Sequence, residues 1–178
     1  MIRSAYTDTF AAENLPARDL WPDLINLDKL GYPDRLNCAT ELLDKAVADG
    51  FGDKVLIYSP SGNRTYRDIL HESNRVALVL QQDLRMQPGE RVLLHGPNSS
   101  TMVACWFGIL KAGGIVVGTM PMLRAGELTK IVDKAEITLA LTDSRIADEL
   151  VACAKTSGFL KQVVNFDGTS NHDAELDR

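Results

Sequence analysis

The sequence is poor in cysteine: its 178 residues contain only Cys38, Cys105 and Cys153, which lie far apart. No C-x-x-C pair occurs, so the sequence supports neither a zinc ribbon nor a disulfide framework. The first eight residues also lack the apolar stretch of a secretory signal. We therefore expect reduced thiols and a cytoplasmic location.

Excess positive charge and long apolar runs are also missing. The chain has 19 Lys and Arg against 24 Asp and Glu, a formal net charge of −5. Non-specific binding to nucleic acid or to an anionic membrane needs clustered basic side chains, so we expect neither partner. The longest stretch without Asp, Glu, Lys or Arg, residues 92–110, is interrupted by turn-forming residues at 96–100, which argues against a membrane span.

The common catalytic motifs are absent as well. The sequence contains no G-x-G-x-x-G fingerprint, no G-x-x-x-x-G-K-S/T phosphate loop, no H-E-x-x-H helix and no G-x-S-x-G elbow. Its three histidines, His71, His95 and His172, lack the spacing of metal ligands. We therefore predict no catalytic residue and no metal ligand in this chain.

The composition is that of an ordinary soluble globular protein, with 45% hydrophobic and 24% charged residues. Residues 1–50 form an irregular segment, broken by prolines, in which 37–48 has helical periodicity. Residues 51–166 form the predicted α/β subdomain. Residues 167–178 are polar, and we expect this tail to be frayed.

Short apolar segments alternate with helical patterns through the subdomain. A β-hairpin is predicted at residues 55–58 and 64–66. Helices are predicted at 66–84, 101–111, 127–135 and 144–155, and strands at 92–94, 115–117, 139–141 and 162–166. This alternation predicts an α/β fold with a doubly wound, largely parallel sheet flanked by helices. The helix at 101–111 is apolar on nearly every side, which predicts that Trp106 and Phe107 lie in the core.

Ligands of such sheets bind outside the carboxyl ends of the strands. Those ends fall here at residues 95–98, 118–121 and 142–144. His95 stands out among them, although a hydrogen-bonded histidine at a strand end is the simpler interpretation. A binding module without enzymatic activity, using the loops around His95, Thr119 and Asp143, is one hypothesis for the chain.

Several polar residues have a structural interpretation that we prefer to a catalytic one. Lys111 and the glycines after it fit the end of a helix, as does the Thr-Ser-Gly run at 156–158. Four carboxylates have the pattern of a solvated surface rather than of an acid/base pair: Asp133, Glu136, Asp148 and Glu149.

Motifs in a fixed order resemble the AMP-forming acyl-CoA synthetase (adenylate-forming) superfamily. Residues 63–70, NRTYRDIL, resemble its threonine-tyrosine motif, and residues 110–117, LKAGGIVV, resemble its Leu-Lys-Ala-Gly-Gly motif. Between them, QPGERV and PNS stand where the family has Pro-Gly-Asp-Arg-Val and Pro-Asn-Ser. The likeness runs from about residue 32 to about residue 150. Within the superfamily, residues 32–43, 104–107 and 119–125 resemble 2-aminobenzoate–CoA ligases and benzoate ligases.

The resemblance implies a two-step ligase. A carboxylate reacts with ATP to give an acyl adenylate, and coenzyme A then displaces AMP to give a thioester. The parent enzyme would use ATP, Mg²⁺, coenzyme A and an aromatic carboxylate. The family's phosphate loop, its ribose-binding acidic residue and its carboxyl-terminal lysine are not found in this sequence. We therefore expect an amino-terminal fragment that is inactive alone and binds no cofactor.

One binding residue can be carried over from the family. In some relatives, a basic residue directly after the loop proline lies near the entrance for coenzyme A. Met122 occupies that position here, and the basic residue is Arg124, two residues on. The alternative for Arg124 is a solvated charge that starts a helix. Because missing subdomains would uncover apolar surface, we also expect the fragment to self-associate.

Overall fold

The computed structural model describes residues 4–23, 25, 27–33 and 35–167. Nearly all of the tail predicted to be frayed, including His172, lies outside the described residues. Asp167, the first residue of that tail, is described: its carboxylate accepts hydrogen bonds from the backbone N and the Oγ of Ser144 at 3.2 and 2.5 Å.

The amino-terminal segment consists of short helical pieces. It contains helix α1 (Phe10–Glu13), 3₁₀ turns at Arg18–Leu20 and Leu27–Leu30, and π-helical turns at Thr40–Asp44 and Val47–Phe51. The helix predicted at 37–48 is therefore present, but with wider turns and a later end. Asn37 starts it, because its Oδ1 accepts the backbone N–H of Ala39 at 2.9 Å. Gly50 lies near its end with φ of 89°, a conformation that favours glycine.

The predicted hairpin is confirmed as the antiparallel strands β1 (Val55–Ile57) and β2 (Arg64–Thr65). Helix α2 (Tyr66–Gln82) follows directly from β2. A capping box fixes its start: Thr65 Oγ1 accepts from the backbone N of Asp68 at 3.2 Å, and Asp68 Oδ2 accepts from the backbone N of Thr65 at 2.9 Å.

The main sheet has four parallel strands, β3 (Arg91–His95), β4 (Ile115–Thr119), β5 (Leu139–Thr142) and β6 (Gln162–Asn165), in the order β4-β3-β5-β6. The connecting helices are α3 (Ser100–Lys111), α4 (Ala125–Ala135) and α5 (Ala147–Thr156). After β4 the chain crosses back over β3 to place β5 on its other side. This reversal confirms the doubly wound fold.

The two faces of the sheet build separate apolar cores. Alternate side chains of each strand point to opposite faces, as the pleat requires. One face packs on α2 and α3, with Leu94, Leu141, Leu80, Cys105 and Ile109 fully or almost fully buried. The other packs on α4 and α5, with Leu93, Ala140, Leu128, Val132 and Leu150 fully buried. The domain is thus three layers thick.

Helix α3 is not buried on every side. Its buried residues, Ala104, Cys105, Gly108 and Ile109, form one stripe, whereas Trp106 is 39% exposed. The prediction that Trp106 lies in the core is therefore wrong. Composition showed how apolar α3 is, but α2 and the sheet cover only one side of it. Phe107 is half-buried and meets Trp106 edge-to-face, with ring centroids 5.2 Å apart.

Polar contacts tie the amino-terminal segment to the α/β unit near the start of β3 and at the end of α3. Near the start of β3, Asp8 Oδ2 lies 2.5 Å from Arg91 Nη1. At the end of α3, Asn37 Nδ2 donates to the carbonyl of Leu110 at 2.6 Å, and Asp44 pairs with Lys111 at 2.5 Å. Within the described part of the chain, no helix has the length and apolarity needed to cross a membrane.

Candidate functional site

The carboxyl ends of the four parallel strands meet in one row. In the register of the sheet, His95 lies beside Thr119 of β4 and beside Thr142 of β5, and Asn165 of β6 follows Thr142. The strand order reverses at this row, between β3 and β5, which is where α/β sheets form ligand crevices. The structure therefore brings together the three strand ends that the sequence singled out.

His95 is the centre of this row and is fully buried. Its Nδ1 lies 2.9 Å from Thr119 Oγ1, whose hydroxyl donates to the carbonyl of Leu94 at 3.5 Å. Nε2 has no hydrogen-bond partner among the described residues. Burial lowers the pKa of His95 against the opposing effect of Glu149, so the imidazole is neutral at pH 7.

The Asp143 carboxylate, directly after β5, is held by one arginine. Its Oδ1 accepts from Arg145 Nε at 2.8 Å and its Oδ2 accepts from Arg145 Nη2 at 2.7 Å. The hydrogen bonds from Arg145 hold the pKa of Asp143 below its usual value although the carboxyl group is buried. Because both oxygens are engaged, Asp143 is a structural anion in this arrangement rather than a free general base.

Glu149 links α5 to the start of α4. Its Oε1 accepts from Arg124 Nη1 at 2.8 Å, and its Oε2 accepts from the backbone N of Ala125 at 2.8 Å. The hydrogen bond from Arg124, followed by that from Ala125, lowers the pKa of Glu149. Glu149 is therefore not the solvated surface carboxylate that the sequence predicted. It occupies the positive end of the α4 dipole, which favours an anion.

Arg124 lies at the start of α4 with its side chain 78% exposed. Its backbone N donates to Glu127 Oε2 at 3.0 Å, so Arg124 is the residue before the helix and Glu127 supplies the capping carboxylate. This geometry matches the interpretation of a charge that starts a helix, with Glu149 as its partner. Contact between Arg124 and coenzyme A stays a prediction.

The two proposed helix ends have the structural roles that the sequence favoured. Lys111 is in the last turn of α3, and Gly113 after it has φ of +87°. Helix α5 ends at Thr156, and Ser157 Oγ then accepts from the backbone N of Phe159 at 3.0 Å. The same hydroxyl donates to Asp133 at 2.5 Å, so that carboxylate also has a local partner.

The described residues offer little other reactive chemistry. No group of three or more His, Cys, Asp or Glu side chains among them could hold a metal ion. Burial raises the pKa of the Cys105 thiol to about 12, which suppresses the thiolate that a nucleophile needs. An apolar groove of about 400 Å³ lies between the hairpin and α3, lined by Tyr58, Met102 and Trp106 among others. It reaches Asn98 in the loop after β3, but His95, Thr119 and Asp143 do not line it.

Comparison with known proteins identifies the family of this chain. The profile of the family described as AMP-binding enzyme matches residues 44–177. The chain belongs to the AMP-binding enzyme family. It is 32% identical over 113 residues to a long-chain-fatty-acid–CoA ligase of Bacillus subtilis (strain 168). That match covers 62% of this chain and 20% of the relative, so the chain spans about a fifth of the relative's length.

Two solved structures of CoA ligases show the same fold. An anthranilate CoA ligase in complex with anthranoyl-AMP superposes with a TM-score of 0.71 at 24% identity, covering 78% of this chain and 26% of that one. A benzoate CoA ligase from Burkholderia xenovorans LB400 superposes with a TM-score of 0.67 at 17% identity, covering 74% and 26%. The family match confirms the resemblance to the adenylate-forming superfamily. The solved structures confirm the α/β fold that the alternation of strands and helices predicted.

His95, Thr119 and Asp143 were predicted from the sequence, but the charged groups near them were not. Arg145 and Glu149 were not assigned to this edge, although both follow β5 closely. The Asp-x-Arg spacing of Asp143 and Arg145 was an available signal, because a strand-end carboxylate is commonly satisfied by a basic side chain in the next turn. The pairing of Glu149 with Arg124 spans 25 residues and has no local signature.

Proposed function

We propose that this chain forms the amino-terminal part of an ATP-dependent acid–CoA ligase. The observation that carries the proposal is the family match over residues 44–177, together with a CoA ligase as a curated relative. In such a ligase, a carboxylate oxygen attacks the α-phosphorus of ATP and pyrophosphate leaves. The thiol of coenzyme A then attacks the carbonyl carbon of the acyl adenylate, and AMP leaves with the electron pair of the broken C–O bond.

The described residues do not fit Mg²⁺, which takes oxygen ligands and is held in proteins mainly by carboxylates. The carboxylate at the strand-end row, Asp143, is committed to Arg145, and the described chain has no cluster of acidic side chains that could replace it. We propose that the chain alone does not form acyl adenylates, because adenylation needs preorganised cationic groups around the reacting phosphorus.

A fusion protein tests this function. The chain would be joined to the part of the Bacillus subtilis relative that follows the matched segment, and ATP–pyrophosphate exchange would be measured with a panel of acids. We expect acid-dependent exchange by the fusion and none by the chain alone. Exchange by the chain alone would contradict the proposed inactivity. A folded but inactive fusion, beside an active relative assembled with the same junction, would contradict the proposed ligase function.

We further propose an aromatic carboxylate, such as 2-aminobenzoate or benzoate, as the acid. Support comes from the sequence segments 32–43, 104–107 and 119–125, which resemble aromatic-acid ligases. A second fusion, to the corresponding part of the anthranilate CoA ligase, provides the test. We expect it to exchange with 2-aminobenzoate faster than the fatty-acid fusion exchanges with long-chain acids. Activity confined to the fatty-acid fusion would contradict an aromatic substrate.

A non-enzymatic binding module is the second candidate function. The unpartnered Nε2 of the buried His95 favours it, because this ring nitrogen could form a hydrogen bond with a ligand. Against it, Thr119 and Asp143 are already engaged by protein groups. Calorimetric titration with nucleotides, coenzyme A and aromatic acids separates the two functions. Defined binding to the isolated chain supports the module, whereas a featureless titration supports the ligase part.

We propose that the isolated chain self-associates through the edge strand β4. This strand carries no charged side chain, and the adjoining Met120 and Met122 are 66% and 79% exposed. Unprotected edges of this kind pair with other chains. Sedimentation velocity should show dimers or larger species, which G118K should reduce and the matched control G126K should not. A clean monomer at high concentration would contradict this proposal.

We also propose that residues 51–166 form the α/β subdomain and that residues 1–50 form a segment that packs on it. The whole enzyme would lie in the cytoplasm and take ATP, coenzyme A and a carboxylate as small-molecule partners. Arg124 would contact coenzyme A in that enzyme, so R124A in an active fusion should raise KM for coenzyme A. An unchanged KM would remove Arg124 from the site.

A further inference from the structure

The start of the chain crosses the loop before β3 and is held there by specific contacts. The arm (residues 6–10) lies against the arm site (residues 88–91). The backbone N–H groups of Thr7 and Asp8 both donate to the carbonyl of Pro88, at 2.9 and 3.0 Å. The Thr7 hydroxyl donates to the same oxygen at 3.1 Å. One carbonyl therefore holds the arm through three donors, two of which belong to its backbone.

Arg91 contacts two side chains of the arm. The Arg91 side chain is 7% exposed, and its partners in the fold hold it in place. Its Nη1 lies 2.5 Å from Asp8 Oδ2, and its Cζ lies 4.5 Å from the centroid of the Phe10 ring. A charge-assisted hydrogen bond and a cation–π contact together favour a carboxylate followed two residues later by an aromatic ring.

Gly89 allows the arm to approach the arm site closely. A Cβ at this position would collide with the carbonyl oxygen of Asp8 and would lie 2.9 Å from Cβ of Tyr6. The backbone of Gly89 has φ of +96°, which also favours glycine. The arm site therefore fits this segment in shape as well as in charge.

The arm is joined to the rest of the molecule by a linker, residues 12–36, with little packing of its own. Every linker residue whose side chain the structure describes is exposed, except the half-buried Trp21. The described linker residues hydrogen-bond only to one another or to residues 9 and 10. Fully extended, at roughly 3.3 Å per residue, the linker spans about 80 Å. A domain of this size has a radius of gyration of about 16 Å, so the linker can carry the arm to another molecule.

Large apolar side chains of the linker face solvent while the arm is bound within its own chain. Five of them are 54–79% exposed: Leu15, Leu20, Ile25, Leu30 and Tyr32. Apolar surface of this kind is stabilised when it leaves water and packs on another molecule. The α/β unit of the same chain leaves these side chains uncovered, so a second copy has apolar surface to bury on the linker.

We propose that the arm is exchanged between two copies of this chain, so that the arm of each copy occupies the arm site of the other. Exchange of an identical element keeps the contacts of Thr7, Asp8 and Phe10, and its cost is that of bringing two molecules together. Burial of the linker's apolar side chains opposes that cost. The second copy thus supplies the carboxylate and the ring that Arg91 contacts. The inference does not rest on the proposed ligase function.

Two variants of the full chain separate arm exchange from closure within one molecule. In the donor, G89A, the new Cβ blocks the arm site because it collides with the arm, while the arm itself is unchanged. In the acceptor, D8A/F10A, the arm loses both side chains that contact Arg91, so the arm site is left open. The control donor, G89A/D8A/F10A, has a blocked site and an arm without those side chains.

NMR titration of the isotope-labelled acceptor with each unlabelled donor measures the transfer of the arm. We expect G89A to move the Gly89 N–H and Arg91 Nε–H signals of the acceptor toward their wild-type positions, with a Kd of about 1 mM or tighter. The control donor should leave these signals unchanged. Pairing through β4 is the same with both donors, so the difference between them reports on the arm alone. Equal responses to the two donors would overturn the proposal.

The unmodified chain provides a second measurement, which does not depend on the folding of these variants. Labelled and unlabelled wild-type chains are mixed at roughly 1 mM, the effective concentration that a short flexible tether gives. Isotope-filtered NOE spectra then detect only contacts between different copies. We expect an NOE between the ring of Phe10 in one copy and the side chain of Arg91 in the other. Its absence, where uniformly labelled protein shows the same contact, would contradict arm exchange.

Discussion

The two ends of strand β3 place a basic side chain in opposite conditions. At the amino end, Arg91 is 7% exposed, and each of its three side-chain nitrogens has a hydrogen-bond partner. It donates to the carbonyls of Ala135, Gly89 and Glu136 at 2.9, 3.2 and 3.1 Å, pairs with Asp8 and stacks on Phe10 at 4.5 Å. At the carboxyl end, His95 is fully buried but leaves Nε2 without a partner among the described residues.

This difference separates stability from function along a single strand. A buried guanidinium is always charged, so it is tolerated only where its donors and its charge are satisfied. A buried imidazole can be neutral, so a ring nitrogen without a partner costs less than an unpaired charge would. At the amino end of the sheet, the buried cation is therefore satisfied by its neighbours. At the carboxyl edge, the unpartnered Nε2 of His95 is available to a ligand, a proton or a further part of an enzyme.

The largest effect is expected from the removal of Arg91, the buried cation at the amino end of β3. R91M leaves three carbonyls and Asp8 without their buried partner, and we expect a loss of about 3–5 kcal/mol in the free energy of unfolding. R67M, which removes an exposed ion pair with Asp53, should cost about 0.2–1 kcal/mol. Urea denaturation of both variants gives the values. Equal losses would show that Arg91 has no special role.

A second test compares the contribution of apolar packing between α2 and α3 to stability with that of the polar contacts of Arg91. A Cβ at Gly108 would lie 2.5 Å from Val76 Cγ1, where α3 crosses α2. We expect G108A to destabilise the protein by about 1–3 kcal/mol, because the two helices must move apart. The control G126A has open space at the Cβ position and should stabilise by about 0.4–1 kcal/mol. Thermal unfolding measures both, and a neutral G108A would contradict the close packing.

A third test weakens the contacts of Arg91 without removing its charge, by changing its partner Asp8. Burial would raise the pKa of Asp8, but hydrogen bonds from Arg91 and from the backbone of Phe10 outweigh it and lower the pKa. The carboxylate therefore contributes stability above its ordinary pKa of about 3.9, and that stability is lost as the pH falls through the lowered value. We expect D8N to cost about 1 kcal/mol at neutral pH, since Asp8 is partly exposed. The wild-type advantage should disappear in acid; a D8N protein with the same acid profile would contradict this.

The smallest expected effect lies at the carboxyl edge. Because burial lowers the pKa of His95, the unfolded chain binds a proton at a higher pH than the folded one does. Stability is therefore complete above the ordinary histidine range, declines as the pH falls through it, and levels off below the lowered pKa. H95Q should flatten this part of the curve, whereas H71Q should not. A wild-type curve that H95Q leaves unchanged would show that His95 does not titrate as the structure requires.

Local patterns in the sequence were enough to predict most of the fold. Helix α2 follows from the apolar stripe that includes Ile69, Val76 and Leu80, and it was placed within two residues of its observed end. The alternation of short apolar strands with helices predicted the doubly wound sheet, because parallel strands require crossover connections. The three strand ends of the candidate site followed from the same topology.

Side-chain partners distant in sequence could not be predicted in this way. The satisfaction of Arg91 depends on Asp8 and on carbonyls 44 and 45 residues further along the chain. The role of Glu149 depends on where α5 places it relative to α4. The exposure of Trp106 depends on what covers α3, which its own apolar composition does not encode. These are tertiary facts with no periodic signal.

Formation of acyl-CoA is the most direct measurement of the central claim, that this chain supplies the scaffold of an acid–CoA ligase whose reacting groups lie elsewhere. The purified chain and its two fusions would be incubated with ATP, coenzyme A and either 2-aminobenzoate or a long-chain fatty acid, and the thioester quantified by mass spectrometry. The account predicts thioester from a fusion and none from the chain alone. Thioester formed by the chain alone, or by neither fusion although both fold, would contradict it.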